Sequence, residues 1–409
     1  MSFETRTAIG RLRSIDALRG AAALGVVLYH AAGTLSLPAP SSVIERWTLR
    51  PVQTFASFGY VGVFLFFVIS GFCIHLQWAR VAAAGATPQI HFFAFWKRRV
   101  RRLYPPYLAA LALYLIIAAF TSHVPLNAFF VWDIGLHLLM LHNLDVRTVY
   151  SINGVFWTLA IEEQLYLAYF LLLFLRTRYG WTLTLVCCAL ARVVWFVCVM
   201  LLKSAYNFEL PVTEAALSHW FTWALGALCV EAATGLIVLP AWCRSLWSAI
   251  GALICAVCLT YALPFGSSET LHSFSWLMLH PLWGAGFFFL VSYAVNAERK
   301  WQTNSASPQH LQTPRLSAWL AFVGVFSYSL YLTHQLVIME SYMFYVFRLP
   351  TTLTPLVVTT PACLAFAWVF FRFCERPFLS SSAATVVTSS VETDRAQDKT
   401  SDAMSASII

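Results

Sequence analysis

Two ionisable residues inside the first apolar stretch, RSIDALRGAAALGVVLYHAA at 13–32, are the natural start for any chemistry in this chain. Arg19 and His30 stand eleven residues apart, close to three helical turns, so they share one helix face with roughly 16 Å between them. That is about half the thickness of a bilayer's hydrocarbon core. The face would offer a cation, beside Asp16, at one membrane surface and an imidazole part-way across. Ionisable groups at that depth are costly, and a functional site is the default reading. An imidazole bonded to a hydroxyl on a neighbouring helix fits the same pattern.

Further groups fall at matching depths. Glu162 and Glu163 sit in NGVFWTLAIEEQLYL, and His334 closes FSYSLYLTH. Two imidazoles and a carboxylate pair suit proton abstraction from a hydroxyl, which needs a base of near-neutral pKa and a carboxylate to fix its tautomer. Glu162 and Tyr166 share a helix face at i, i+4. Carboxylates near a membrane surface can equally be solvated. The run RRVRRLYPPY brings Arg98, Arg99 and Arg102 together, and guanidinium forks match phosphate oxygens. Anchoring at the cytoplasmic surface explains the same charges. Ser70 and Gly71, in FFVISGF, let backbones approach closely or a ligand pass. The chain has ten cysteines. Cys255 and Cys258 form a CxxC without a second pair or a histidine cluster nearby, so no metal site is expected.

The elements that must position these groups are membrane helices. Hydrophobic residues make up 59% of the 409, charged residues 11%, and the mean hydropathy is +0.70. No soluble core needs that much apolar sequence. The net charge of +8 comes from basic residues flanking apolar runs, a topology signal and not a nucleic-acid surface. The fold class expected is all-α, a polytopic transmembrane helix bundle of about ten spans with N- and C-termini cytoplasmic. The spans fall at about 17–37, 58–78, 103–121, 157–176, 181–202, 215–236, 246–264, 273–295, 316–338 and 353–371. The first is expected to remain uncleaved. The short stretch 125–141, interrupted by Asp133 and His137, reads as an interfacial or re-entrant helix. In this arrangement 20 of the 26 basic residues lie inside, five outside, and Arg192 within the fifth span. Residues 1–378 form one bundle, and 379–409, rich in Ser, Thr and Ala, form a disordered cytoplasmic tail. Arg192 needs a partner or a wet cavity, and Glu231 and His280 read as structural.

The pieces IDALRG running on to His30, GVFLFFVISGF at 62–72, RRVRRLYP at 98–105, WTLAIEEQLYL at 157–167, FSYSLYLTH at 326–334 and CERPF at 374–378 occur in one order along the chain. In this the chain resembles the acyltransferase-3 family of integral-membrane O-acyltransferases. The resemblance implies transfer of an acyl group, commonly acetyl, from acyl-CoA to a hydroxyl, often on a cell-surface carbohydrate or glycolipid. Acyl-CoA, with acetyl-CoA first, is then a donor substrate, and no permanently bound cofactor is implied. The family's Arg-x10-His pair falls on Arg19 and His30, its Arg-x-x-Arg on Arg99 and Arg102, and its glutamate on Glu162, with Thr158 in place of the usual serine. Its last box brings Ser327, Tyr328, Tyr331 and His334. His30 would take the acceptor's proton, oriented by Glu162 or another carboxylate, with an acyl-histidine intermediate as the other route. The location expected is multi-pass in the cell's inner or plasma membrane, and a proton-coupled transporter is the competing class, although no internal repeat supports it.

Overall fold

The computed structural model describes residues 12–34, 51–121, 127–263, 269–304, 315–348 and 358–379. The predicted tail beyond residue 379 and the start of the predicted tenth span lie outside them. Every regular element among the described residues is helical. The principal α-helices in chain order are α1 (Arg13–Thr34), α2 (Gly62–Ala83), α3 (Phe92–Thr121), α4 (Ala128–Leu138), α5 (Trp157–Tyr206), α6 (Ala216–Thr234), α7 (Leu246–Ala262), α8 (Glu269–Asn304), α9 (Arg315–Val325), α10 (Ser327–Arg348) and α11 (Thr360–Phe370). Five are long and apolar enough to cross a membrane, six if the bent pair α9 and α10 counts as one span. The protein is a multi-pass membrane protein. Apolar side chains such as Val193, Val194 and Val197 on α5 stay exposed, as a lipid-facing surface requires.

Three elements matter for the site, and the first and third differ from the sequence expectation. The basic run does not precede the third span in a loop. It is helical and continuous with the span through Pro105 and Pro106, so helical spacing decides where each arginine points. The 50 residues of α5 would run about 75 Å as one rod, more than twice a hydrocarbon core. The helix breaks at Gly180 (φ 78°, ψ 178°), where the sequence places the turn between spans four and five. The predicted ninth span is not continuous: α9 and α10 meet at a 78° bend beside Phe326. There the Ser327 hydroxyl donates to the Gly324 carbonyl, and the Ser329 N–H and hydroxyl both donate to the buried Glu375. These side-chain bonds compete with the helical ladder. As expected, α4 is short; its 11 residues cover about 16 Å, half a hydrocarbon core.

Close helix crossings fix the bundle. A Cβ on Gly226 would lie 1.9 Å from the Val68 carbonyl oxygen, and one on Gly71 2.0 Å from that of Trp223. Thus α2 and α6 touch backbone to backbone, the device that lets membrane helices pack without a hydrophobic driving force. Gly20 and Gly324 do the same for α1 and α9. Val68, Phe72 and Trp223 fill the core along these contacts.

Candidate active site

Between α1, α2, α3, α5, α10 and the turn after α11 lies a cavity of about 130 Å³. Arg19, Arg99 and Arg102 line it, together with Ser70, Cys73, Glu162, Tyr166, Tyr331 and Glu375. Arg99 and Arg102 are one helical turn apart and therefore face the same way. Arg98, offset from Arg99 by about 100°, is exposed and does not line the cavity. Arg19 donates to Cys73 Sγ at 3.2 Å and stands 3.6 Å from Asp16. The Arg99 guanidinium lies over the rings of Phe95 (5.4 Å) and Tyr166 (5.9 Å), and its Nε is buried without a partner. Three guanidinium groups meeting in one pocket would repel one another in an empty site, and they suit a polyanionic ligand.

Glu162 faces the cavity. One of its oxygens accepts from Ser70 Oγ at 2.8 Å and from Tyr166 OH at 2.5 Å, so the i, i+4 pair read from the sequence is bonded. Ser70 also accepts from Trp223 Nε1 at 3.2 Å. Glu163, a residue later and about 100° around the helix, turns away and accepts from Trp96 Nε1 at 2.5 Å. Both carboxylates are held inside the protein, but for different neighbours.

The two histidines meet. His334 Nε2 lies 3.2 Å from His30 Nδ1, with ring centroids 5.0 Å apart. His334 Nδ1 contacts the carbonyls of Leu330 (3.1 Å) and Tyr331 (2.8 Å), which places its proton there and leaves Nε2 as an acceptor. His30 Nδ1 lies 2.9 Å from the Val26 carbonyl, so its proton is shared between Val26 and His334. That tautomer makes Nε2 the basic nitrogen of His30. The sequence has His30 oriented by Glu162 or another carboxylate; Glu162 itself bonds Ser70 and Tyr166, while His30 is in contact with the Val26 carbonyl and the His334 imidazole. Neither histidine lines the cavity. Tyr331 connects the two places. It lines the cavity, its ring lies 5.8 Å from that of His334, and its hydroxyl accepts from Thr158 Oγ1 at 2.8 Å.

The family model described as an acyltransferase domain matches residues 12–372, nearly the whole described bundle. The chain belongs to the acyltransferase-3 family. Among similar proteins is O-acetyltransferase OatA of Staphylococcus aureus, 29% identical over 175 residues, covering 39% of this chain and 24% of the relative. The peptidoglycan O-acetyltransferase OatA of Listeria monocytogenes is 28% identical over 193 residues, 43% of this chain and 26% of the relative. A putative acetyltransferase, ORF330 of Acidianus two-tailed virus, is 32% identical over 157 residues, 37% of this chain and 38% of the relative. The matched parts thus span about a quarter to two-fifths of these relatives' lengths. No solved structure matches the chain.

Sequence reasoning gives Glu375 of this acyltransferase-3 chain no role and reads Glu231 as structural. Glu375, in CERPF, is 3% exposed, lines the cavity and fixes the α9–α10 bend through Ser329. Its signal was a carboxylate next to an apolar helix end. Glu231 is the hub of a separate buried network, accepting from Arg176 Nε (2.6 Å) and Nη2 (2.7 Å), from Trp181 Nε1 (2.8 Å) and meeting His75 Nε2 at 2.9 Å. This network ties α2, both halves of α5 and α6 together, in keeping with the structural role read for Glu231.

Proposed function

We propose that this protein is an integral-membrane O-acyltransferase that moves an acyl group, acetyl first, from cytosolic acyl-CoA to a hydroxyl of a cell-surface or exported carbohydrate or glycolipid. The observation that carries the reading is the convergence of Arg19, Arg99 and Arg102 on one cavity whose wall, Tyr331, leads to the His30–His334 pair. The acceptor class rests on the two relatives whose names are O-acetyltransferases, one of them of peptidoglycan. The reading places about ten spans in the plasma membrane with both termini inside, following the basic-residue asymmetry.

In this proposal the arginine end of the cavity faces the cytosol and binds the phosphates of the donor. The pantetheine arm rises past Glu162 and Tyr331, and the thioester carbonyl comes to rest below His30. An acceptor hydroxyl enters from the other side. His30 Nε2 takes the hydroxyl proton as the oxygen attacks the thioester carbon. The carbon–sulfur bond then breaks, and the sulfur leaves with the proton returned by the imidazolium, so the ester and free thiol account for every atom. His334 accepts the His30 Nδ1 proton in a hydrogen bond and holds the ring in the required tautomer, as a second group does for a metal-bound or triad histidine. Ser70 and Tyr166 keep Glu162 fixed beside the arginines, where its charge offsets part of theirs.

Transfer of radiolabel from acetyl-CoA into membrane-associated saccharide tests the reading, using cells or vesicles with wild type, His30→Ala and Arg99→Ala at matched expression. Label should appear with wild type and fall to background with His30→Ala. Label independent of both residues overturns the proposal.

A further inference from the structure

A second polar cluster lies behind the cavity and takes no part in the reaction above. Arg192 on α5 is 3% exposed in the interior of the bundle. One nitrogen, Nη2, donates to the Leu277 carbonyl at 2.5 Å. That carbonyl is four residues before Pro281, which has no N–H to offer it, so one of the guanidinium's bonds repairs a proline-broken helix. The remaining nitrogens are not so explained. Nε and Nη1 are buried without a hydrogen-bond partner, and Arg192 forms no ion pair among the described residues. Repairing one carbonyl needs only a neutral donor, whereas a buried guanidinium in a membrane helix is expensive without an anion.

Two imidazoles share the place. His219 on α6 and His280 on α8 stack with centroids 5.0 Å apart, and His280 is one helical turn beyond Leu277, whose carbonyl Arg192 holds. His219 Nε2 meets the Thr213 carbonyl at 2.7 Å, leaving Nδ1 as an acceptor, and that Nδ1 has no partner. The Nδ1 of His280 also has none. Phe67 separates the cluster from the cavity: it lines the cavity and its ring lies 4.6 Å from that of His219. The ring contacts Tyr29–Tyr60, Tyr60–Trp276 and Trp276–His280 place the cluster at the His30 end of the bundle.

We propose that Arg192, His219 and His280 form a binding site for an anionic, hydroxyl-bearing group, a phosphate or carboxylate on a polyol or sugar. The unpaired N–H groups of Arg192 meet the anion, and the acceptor nitrogen of His219 takes a hydroxyl. Such a group occurs on a charged saccharide and on a glycerol-phosphate lipid head. The site stands on its own geometry and holds whether or not the acyl-transfer reading does.

The test uses the full-length protein in phosphatidylcholine nanodiscs, with thermal unfolding read during titration by glucose 1-phosphate, glucuronate and neutral glucose. A second arm replaces part of the phosphatidylcholine by phosphatidylglycerol. Wild type should be stabilised saturably by an anion in at least one arm and not by glucose. Arg192→Gln should weaken that binding at least tenfold, whereas Arg99→Ala, in the arginine-lined cavity, should leave it intact. Stabilisation by the soluble anions identifies a saccharide-type source, and stabilisation by phosphatidylglycerol alone a lipid head. Where Arg192→Gln does not fold, His280→Gln and Arg192→Lys serve, and a tenfold loss in either is expected. Anion binding equal in wild type and variants, or binding absent from both arms, overturns the proposal.

Discussion

His334 Nε2 and His30 Nδ1 lie 3.2 Å apart although 304 residues separate them in the chain. The contact orders the two imidazoles into unequal roles, because the Leu330 and Tyr331 carbonyls hold the His334 proton on Nδ1 and leave Nε2 only to accept. His30→Ala should therefore lower kcat by about 10²–10⁴, the range for loss of a general base. His334→Ala should cost less, because Val26 still holds the His30 proton. His334→Gln, which can accept the same bond, should recover part of the loss. Steady-state kinetics with the purified protein would check the order of the three.

Arg99 and Arg102 line the cavity and Arg98 does not. Removing one charge-assisted contact costs about 1.5–3 kcal/mol, or roughly 10- to 100-fold in binding. Arg99→Ala and Arg102→Ala should raise the KM for acetyl-CoA by that factor with a smaller change in kcat, and Arg98→Ala should leave KM within about twofold. Equal effects at all three positions would mean that the run acts only as a surface charge.

Glu231 is completely buried and bonded to Arg176, His75 and Trp181. Replacing it by Ala strands a guanidinium, and breaking a buried pair in this way costs about 3–5 kcal/mol. A thermal melt in detergent should drop sharply for Glu231→Ala and less for Glu231→Gln. Among protein that folds, acetyl-CoA binding should be unchanged.

Gly226 meets the Val68 carbonyl where α2 and α6 cross. A methyl there would sit 1.9 Å from a backbone oxygen, so the helices must separate. Gly226→Ala should reduce thermal stability and Gly226→Val should prevent recovery of folded protein. Gly135→Ala, whose Cβ would meet nothing within 4 Å, is the control and should melt as wild type.

Outside the spans, Asp145 accepts from the Arg147 side chain at 2.7 and 3.0 Å, and chiefly this bond holds its carboxyl down at about 2. Its unfolded value is about 3.9. The pair's contribution to stability is present above that value and is lost as the pH falls through about 2. Arg147→Ala should move the Asp145 titration back toward 4, read by carboxyl NMR, with little change in stability at neutral pH because Arg147 is exposed.

The sequence by itself determined the membrane-helix architecture, the helix carrying Arg19 and His30, the face shared by Glu162 and Tyr166, and the break near Gly180. These depend on quantities local to the chain: apolar length against bilayer thickness, 3.6-residue periodicity and the basic residues that mark the cytoplasmic end of a span. The tertiary structure alone decided which faces meet. Helix rotation put Arg99 inside and Arg98 outside, and sent Glu162 to Ser70 and Glu163 to Trp96. It brought His334 against His30, and bent the ninth span around Glu375. Depth along a helix follows from counting residues, but azimuth follows from where two backbones can touch. In this bundle Gly20, Gly71, Gly226 and Gly324 set that, through partners about 150 to more than 300 residues away.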